Sequence, residues 1–288
     1  MDYAIVVALE MVRAVAWLVL LAAGLAIIFG MMRVINFAHG EFLMLGGYTV
    51  VVSTGAGVNE WVAILLLAPL VVGLFGVVVE RLVIRQLYGR MLDSLLATWG
   101  LSMLMIGGVT LIFGNTVQGV ATPFGGVRIG TYQMPIYNFV LIFFAAAILL
   151  AVWAVLKFTR AGLIARATMQ NPNMAETLGI RTTLVYMATF GIGSAVTGLA
   201  GGLLAPVTGV VPAMGASLVG QSFITVITGG AAVITGTLSS ATILGTISQG
   251  TTFWAGPVYG DAALLVVALI LLRILPQGIT GRIFKRAL

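Results

Sequence analysis

TTLVYMATFGIGSAVTGLAGGLLAPVTGVVPAMGASLVGQSFITVITGGAAVITGTLSSATILGTISQGTTFWAGPVYG, from Thr182 to Gly260, runs for 79 residues without a formal charge. A helix that crosses a membrane needs about 20 mostly apolar residues. The stretch therefore has room for three crossings, about 183–203, 216–234 and 236–254. The last two are interrupted by Gly229, Gly230 and Gly236 and are rich in Ser and Thr. They read as broken or re-entrant helices, because irregular backbone is tolerated at membrane depth only where protein or water covers it.

The rest of the chain follows the same pattern. Further uncharged runs cover Ala14–Met32, Phe42–Asn59, Trp61–Val79, Ser94–Val127, Ile129–Leu156 and Ala262–Leu272. The first three are one span each. The fourth gives a span over about 94–113 and then a turn-rich external loop with Gly114, Asn115, Gly119, Pro123, Gly125 and Gly126. The fifth gives a span over about 137–156, and a final span covers about 256–276. The expectation is an all-α, polytopic membrane helix bundle of about nine segments (eight to ten), forming a single domain over 1–288. Composition agrees: 60% of the residues are hydrophobic and 8% are charged, against about 25% charged in a soluble domain. A soluble fold of this length has too little interior to hide that much apolar surface.

Charge sets the orientation. If 33–41, 80–93, 157–181 and 273–288 share one side, 12 of the 14 Lys and Arg residues lie there. Arg13 and Arg128 remain opposite, with Asp2, Glu10, Glu60 and Asp261. Basic loops stay cytoplasmic, which places the N-terminus outside and the C-terminus inside. The net charge of +6 is thus a membrane signature. Nucleic acid is not an expected partner, since no basic cluster is interleaved with aromatics. Asp2 and Glu10 ahead of the first span, and no small-residue cleavage site after it, speak for a retained span and against a signal peptide.

Several chemistries are excluded. The chain has no cysteine and one histidine, His39, so thiolate or poly-histidine metal sites are not expected. Lys157 and Lys285 are the only lysines and neither follows a glycine, so the phosphate-binding pattern GxxxxGK[ST] is absent. No GxSxG, HExxH or paired mid-span aspartates occur, and no catalytic residue or cofactor is expected. Ion-coupled carriers bury carboxylates near mid-membrane, whereas Glu41, Glu80, Asp93, Glu176 and Asp261 fall at span ends or loops. The pattern fits a passive conduit driven by something else.

Three stretches stand out. In RVINFAHGEFLMLGGY (33–48), Asn36, His39, Gly40 and Glu41 sit beside the apolar phase. They are either an interfacial turn capping two helix ends or a kinked segment lining a pathway. In KFTRAGLIARATMQNPNMAETLGIR (157–181), Leu163, Ala167, Met174 and Leu178 recur at helical spacing. Asn171 suits an N-cap, Pro172 a first helical position and Gly179 the position after a helix end. The loop reads as two short surface helices about an Asn-Pro turn. It is either an ordinary basic loop or a knob that docks in a groove on a soluble partner. Third, the glycines from Gly191 to Gly250, among them the Gly198/Gly202 pair and Gly229/Gly230, allow close helix packing or expose backbone along a path.

At these stretches the sequence resembles the branched-chain amino acid ABC importer permeases of the LivH type, a family that includes urea and short-amide permeases. The resemblance is carried by INFAHGEFLMLGGYTV (35–50), ERLVIRQLYGRMLDSLLATWGLSM (80–103), the run from Thr159 to Gly215, FITVITGG (223–230) and LPQGITGR (275–282). It implies a bacterial inner-membrane subunit that pairs with a second homologous permease. Two cytoplasmic ATPases would dock beneath, and a periplasmic substrate-binding protein would deliver substrate. It further implies that the loop 159–180 is the ATPase-coupling segment, with Gly162, Arg166, Ala167, Asn171, Ala175 and Gly179 at its recognisable positions. Asn36, His39, Gly40 and Glu41 match the family's polar run. SLLATWGLSM reads closer to urea and amide permeases, so a neutral amino acid and urea both stay open as substrate. A self-contained channel or secondary carrier is the alternative outside the family.

Overall fold

The computed structural model describes residues 2–122, 124–230 and 232–283; the predicted basic positions Lys285 and Arg286 lie outside them. The helices are α1 (Asp2–Met32), α2 (His39–Gly55), α3 (Glu60–Leu82, with a π-helical turn at Ala63–Leu67), α4 (Met91–Phe113) and α5 (Tyr137–Phe158). Then come α6 (Arg160–Gln170), α7 (Pro172–Thr177), α8 (Thr182–Thr208), α9 (Met214–Gly229), α10 (Val233–Ala255), α11 (Pro257–Ile274) and α12 (Gly278–Ile283). A hairpin of β1 (Gly126–Ile129) and β2 (Tyr132–Pro135) pairs Val127 with Met134 in the loop before α5.

By length and apolarity six segments qualify as spans among the described residues: α1, α3, α4, α5, α8 and α11 with its continuation to Gly281. Counting the pair α9–α10, bent by 114°, as one span makes seven. The nine crossings expected from the uncharged runs are not reached by this measure, for two physical reasons. The runs 216–234 and 236–254 share one sharply bent pair. The helix in the second run, α2, has only 17 residues, about 25 Å at 1.5 Å per residue, against a hydrocarbon core of about 30 Å.

The faces of α4 show what solvent the fold expects. Its buried residues are Ser94, Thr98, Ser102 and Met105, while Leu104 is 70% and Leu111 89% exposed. Apolar outside and hydroxylated inside is the reverse of a water-soluble helix and suits a lipid-facing one.

The chain folds as two compact units. One holds residues 23–121 and 151–220. Its centre is α8, packed on α2 and α3 through small residues. A methyl group at Gly198 would sit 2.6 Å from the Ala68 carbonyl oxygen, one at Gly201 would strike the Leu43 carbonyl, and one at Gly76 would strike Ser194. The fully buried Phe42 ring meets Phe75 at 5.4 Å and Phe190 at 6.2 Å, both edge-on. The other unit holds the residues up to Ala22, 122–150 and those from Gln221 onward. There Glu10 pairs with Arg13 and accepts from Asn138 at 3.2 Å. Trp17 donates to Gln221 at 3.3 Å. Gly245 lies against the backbone of Val15, and Gly260 against Ser248 and Thr252.

Without a hydrophobic force between helices in lipid, such contacts carry the packing. Gly201→Ala is expected to cost about 1–3 kcal/mol of stability by overpacking. Gly107→Ala on α4, where an added methyl meets nothing within 4 Å, is expected to be neutral or mildly stabilising. Thermal melting of the two variants in detergent checks the contrast.

Candidate functional site

The candidate residues fall in three places. Asn36, His39, Gly40 and Glu41 form the start of α2. α1 ends at Arg33, whose backbone is left-handed at φ 51° and whose N–H donates to the Phe29 carbonyl at 2.9 Å. The extended segment that follows turns at Asn36. The Asn36 side-chain oxygen accepts from the Ala38 N–H at 3.1 Å, and its carbonyl accepts from the His39 N–H at 3.2 Å. Asn36, His39 and Glu41 are all buried, at 0%, 0% and 1% exposure. Glu41 thus stands at a helix start, as the charge pattern indicates, yet it is enclosed by protein. Glu80, at the end of α3, is likewise buried and accepts a short hydrogen bond from the Tyr88 hydroxyl. Burial first, then that bond and the Glu80 charge, push the Tyr88 phenol above its ordinary pKa.

The partner of the Asn36–Glu41 turn is a stripe that the sequence reading did not single out. Ser94, Thr98 and Ser102 recur every four residues along one face of α4, and all are buried. Thr98 accepts from the Phe37 N–H at 3.0 Å while donating to the Ser94 carbonyl at 2.8 Å. Ser102 hydrogen-bonds the Glu41 carboxylate, which also bonds its own backbone N–H. A hydroxyl every fourth position in an otherwise apolar helix was the available signal. A second partner is Gly215. Gly40 and Gly215 are each the second residue of their helix, α2 and α9, and their backbones touch: a methyl on Gly215 would lie 2.7 Å from the Glu41 nitrogen.

Gly229 and Gly230 belong to the other unit and form the bend between α9 and α10. Gly229 packs against the Gly236 backbone, and Gly230, left-handed at φ 87°, packs against Gly278. The Thr280 hydroxyl donates to the Gly229 carbonyl at 2.7 Å, so α12 clasps the bend.

The loop 157–181 folds as α6 and α7. Thr159 caps α6 by accepting from the Gly162 N–H at 3.0 Å, and Asn171 caps α7 by accepting from the Met174 N–H at 3.0 Å. Gly162 is buried where α6 folds back on α5; a methyl there would hit the Val155 carbonyl. Gly179 ends α7 with φ 83°. Ala175 is buried at 2%, Ala167 is half-buried, and Arg166 and Asn171 are exposed. Met174 at 59% and Leu178 at 73% exposure point away from the protein. Thr182 donates to Glu176, tying α7 to the start of α8. A cavity of about 360 Å³ beside it is lined by Arg85, Glu176, Ile180, Arg181 and the first residues of α8. No cluster of metal-ligating side chains occurs among the described residues.

The family described as "Branched-chain amino acid transport system / permease component" matches residues 7–275. The chain belongs to that family. The permease is 28% identical over 284 residues to the high-affinity branched-chain amino acid transport system permease protein LivH of Salmonella typhimurium, covering 91% of each chain. It is 28% identical over 286 residues to the BraD permease protein of the corresponding Pseudomonas aeruginosa system, again covering 91% of each. A probable LivH permease of Methanocaldococcus jannaschii is 27% identical over 287 residues, 93% of this chain and 90% of that one. No solved structure matches the permease. It is a multi-pass membrane protein of the ABC permease class, and its relatives are transport subunits.

Thr98→Val keeps the side chain's shape and removes its oxygen. The Phe37 N–H then loses its acceptor, and a loss of about 1–3 kcal/mol is expected. Thr98→Ser is expected to stay within about 1 kcal/mol of wild type. Unfolding midpoints in detergent distinguish the two.

Proposed function

We propose that the permease is the membrane subunit of a bacterial inner-membrane ABC importer for branched-chain or other neutral amino acids. The family match over residues 7–275 carries this reading. The whole chain then acts as one permease domain, with the N-terminus outside and the C-terminus in the cytoplasm. α2 crosses the membrane as a short span, and the bent α9–α10 pair enters and leaves on one face. A second homologous permease completes the pathway, a periplasmic binding protein delivers substrate, and lipid surrounds the outer faces. The chain carries no nucleotide-binding pattern and no resident cofactor, so two cytoplasmic ATPases supply the work.

The ATPases act on α6 and α7. Both helices are capped, and Gly162 seats α6 directly on the end of α5, so a push on α7 reaches α5 and α8 as a rigid displacement. Exposed Met174 and Leu178 on α7 offer an apolar contact, and Arg166 on α6 is exposed as well. ATP-driven closure of the ATPases biases the permease pair between outward-facing and inward-facing packings.

Ala167→Glu places a charge on this surface and is expected to lower ATP-driven uptake about tenfold, with membrane yield and basal ATP hydrolysis retained. Wild-type coupling in that variant counts against the docking role. Robust leucine uptake by the permease alone in proteoliposomes overturns the importer reading in favour of a self-contained carrier. Uptake of urea or acetamide, and not leucine, by the full complex assigns the substrate to the amide branch.

A further inference from the structure

Glu41 is a buried carboxylate that the described residues leave half satisfied. One side of it is held by Ser102 and by its own backbone N–H. Its Oε2 atom is buried and has no hydrogen-bond partner, and neither has the side-chain nitrogen of Asn36. The ion pairs among the described residues are Arg13–Glu10 and Arg90–Asp93, and Glu41 is in neither. A buried carboxyl with one oxygen unpartnered is a costly feature for a fold to retain. An acid inside a membrane protein is a functional group by default.

Its position adds to this. The amide that the carboxylate bonds is the one against which Gly215 packs. Glu41 therefore sits where the starts of two helices, α2 and α9, meet backbone to backbone. Interrupted helices that meet inside a transporter are the usual place for substrate and ion sites, because their ends present unpaired backbone groups. In the present packing the Gly40–Gly215 contact closes this point.

We propose that Glu41 is the docking group for the α-ammonium of a transported amino acid, with Asn36 and Ser102 beside it as neutral hydrogen-bonding groups. This rests on the amino acid importer reading above and names the chemistry that reading leaves open. A free ammonium supplies the positive charge and the donors that Oε2 lacks. The aliphatic side chain of the substrate needs no charged partner here.

The test uses the full complex, with its second permease, ATPases and binding protein, reconstituted in proteoliposomes. Glu41→Gln keeps the shape and the bond to Ser102. It is expected to lower leucine uptake about tenfold or more, as loss of a charge-assisted hydrogen bond does, with assembly and binding-protein-stimulated ATP hydrolysis intact. Wild-type uptake by this variant overturns the proposal while leaving the importer reading standing. A wild-type complex that carries urea or acetamide but not leucine overturns both. The chain has no cysteine, so Ser102→Cys gives it a single thiol beside Glu41. Leucine is expected to slow labelling of that thiol by a small methanethiosulfonate during turnover when Glu41 is present, and not when Glu41→Gln is combined with it. Equal labelling with and without leucine in the Glu41 background overturns the proposal even if Glu41→Gln fails to assemble.

Discussion

The close approach of backbones along α8 is the contact on which the described fold depends. Lipid tails are as apolar as leucine, so burying a leucine between two membrane helices gains little over leaving it in lipid. What remains is dispersion between surfaces that fit, and the fit is best where side chains are smallest. Gly193, Gly198, Gly201 and Gly202 line α8 at intervals that bring α1, α2 and α3 against it with carbonyl groups in contact. Phe42, Phe75 and Phe190 fill the space that the small residues leave. The large apolar side chains of α4 and α11 then face outward, where the solvent itself accepts them.

That arrangement explains why the polar residues are inside. The Asn36–Glu41 turn breaks the helical ladder between α1 and α2, and its free amides need acceptors that lipid cannot provide. Thr98 takes the Phe37 N–H and Asn36 takes that of Ala38. The turn is thus held by hydrogen bonds to one face of α4. The Gly40–Gly215 contact brings a second interrupted helix to the same place. Backbone strain is small: Arg33 alone adopts a left-handed conformation among the described non-glycine residues, at the point where α1 must stop.

The loop 157–181 obeys a different physics. α6 and α7 lie exposed on the surface of the protein, and they are too short to be stable alone. Caps at Thr159 and Asn171, the left-handed Gly179 and the Thr182–Glu176 bond fix them locally. Seating through Gly162 joins them to the membrane helices. A segment so constrained can transmit force, whereas a flexible loop of equal length would absorb it.

Much of this was legible in the sequence. Charge-free runs placed α4, α5, α8 and α11 to within about five residues, because transfer into lipid is a property of each segment taken by itself; they gave the end of α1 but not its start, since the helix runs back through Arg13 and Glu10 to Asp2. Asn171, Pro172 and Gly179 announced α7, because capping is equally local. The hairpin at Gly126–Pro135 was hidden in a loop short of strand signals, whereas Gly229, Gly230 and Gly236 announced the break between α9 and α10. Ser94, Thr98 and Ser102 showed their four-residue spacing, yet nothing in the sequence said which partner they would meet. Only the tertiary structure joined Glu41 to Ser102 and Gly40 to Gly215. Those contacts span 61 and 175 positions of chain. Hydropathy measures one residue against lipid, while a backbone contact or a buried hydrogen bond belongs to two residues at once and exists only after the helices have packed.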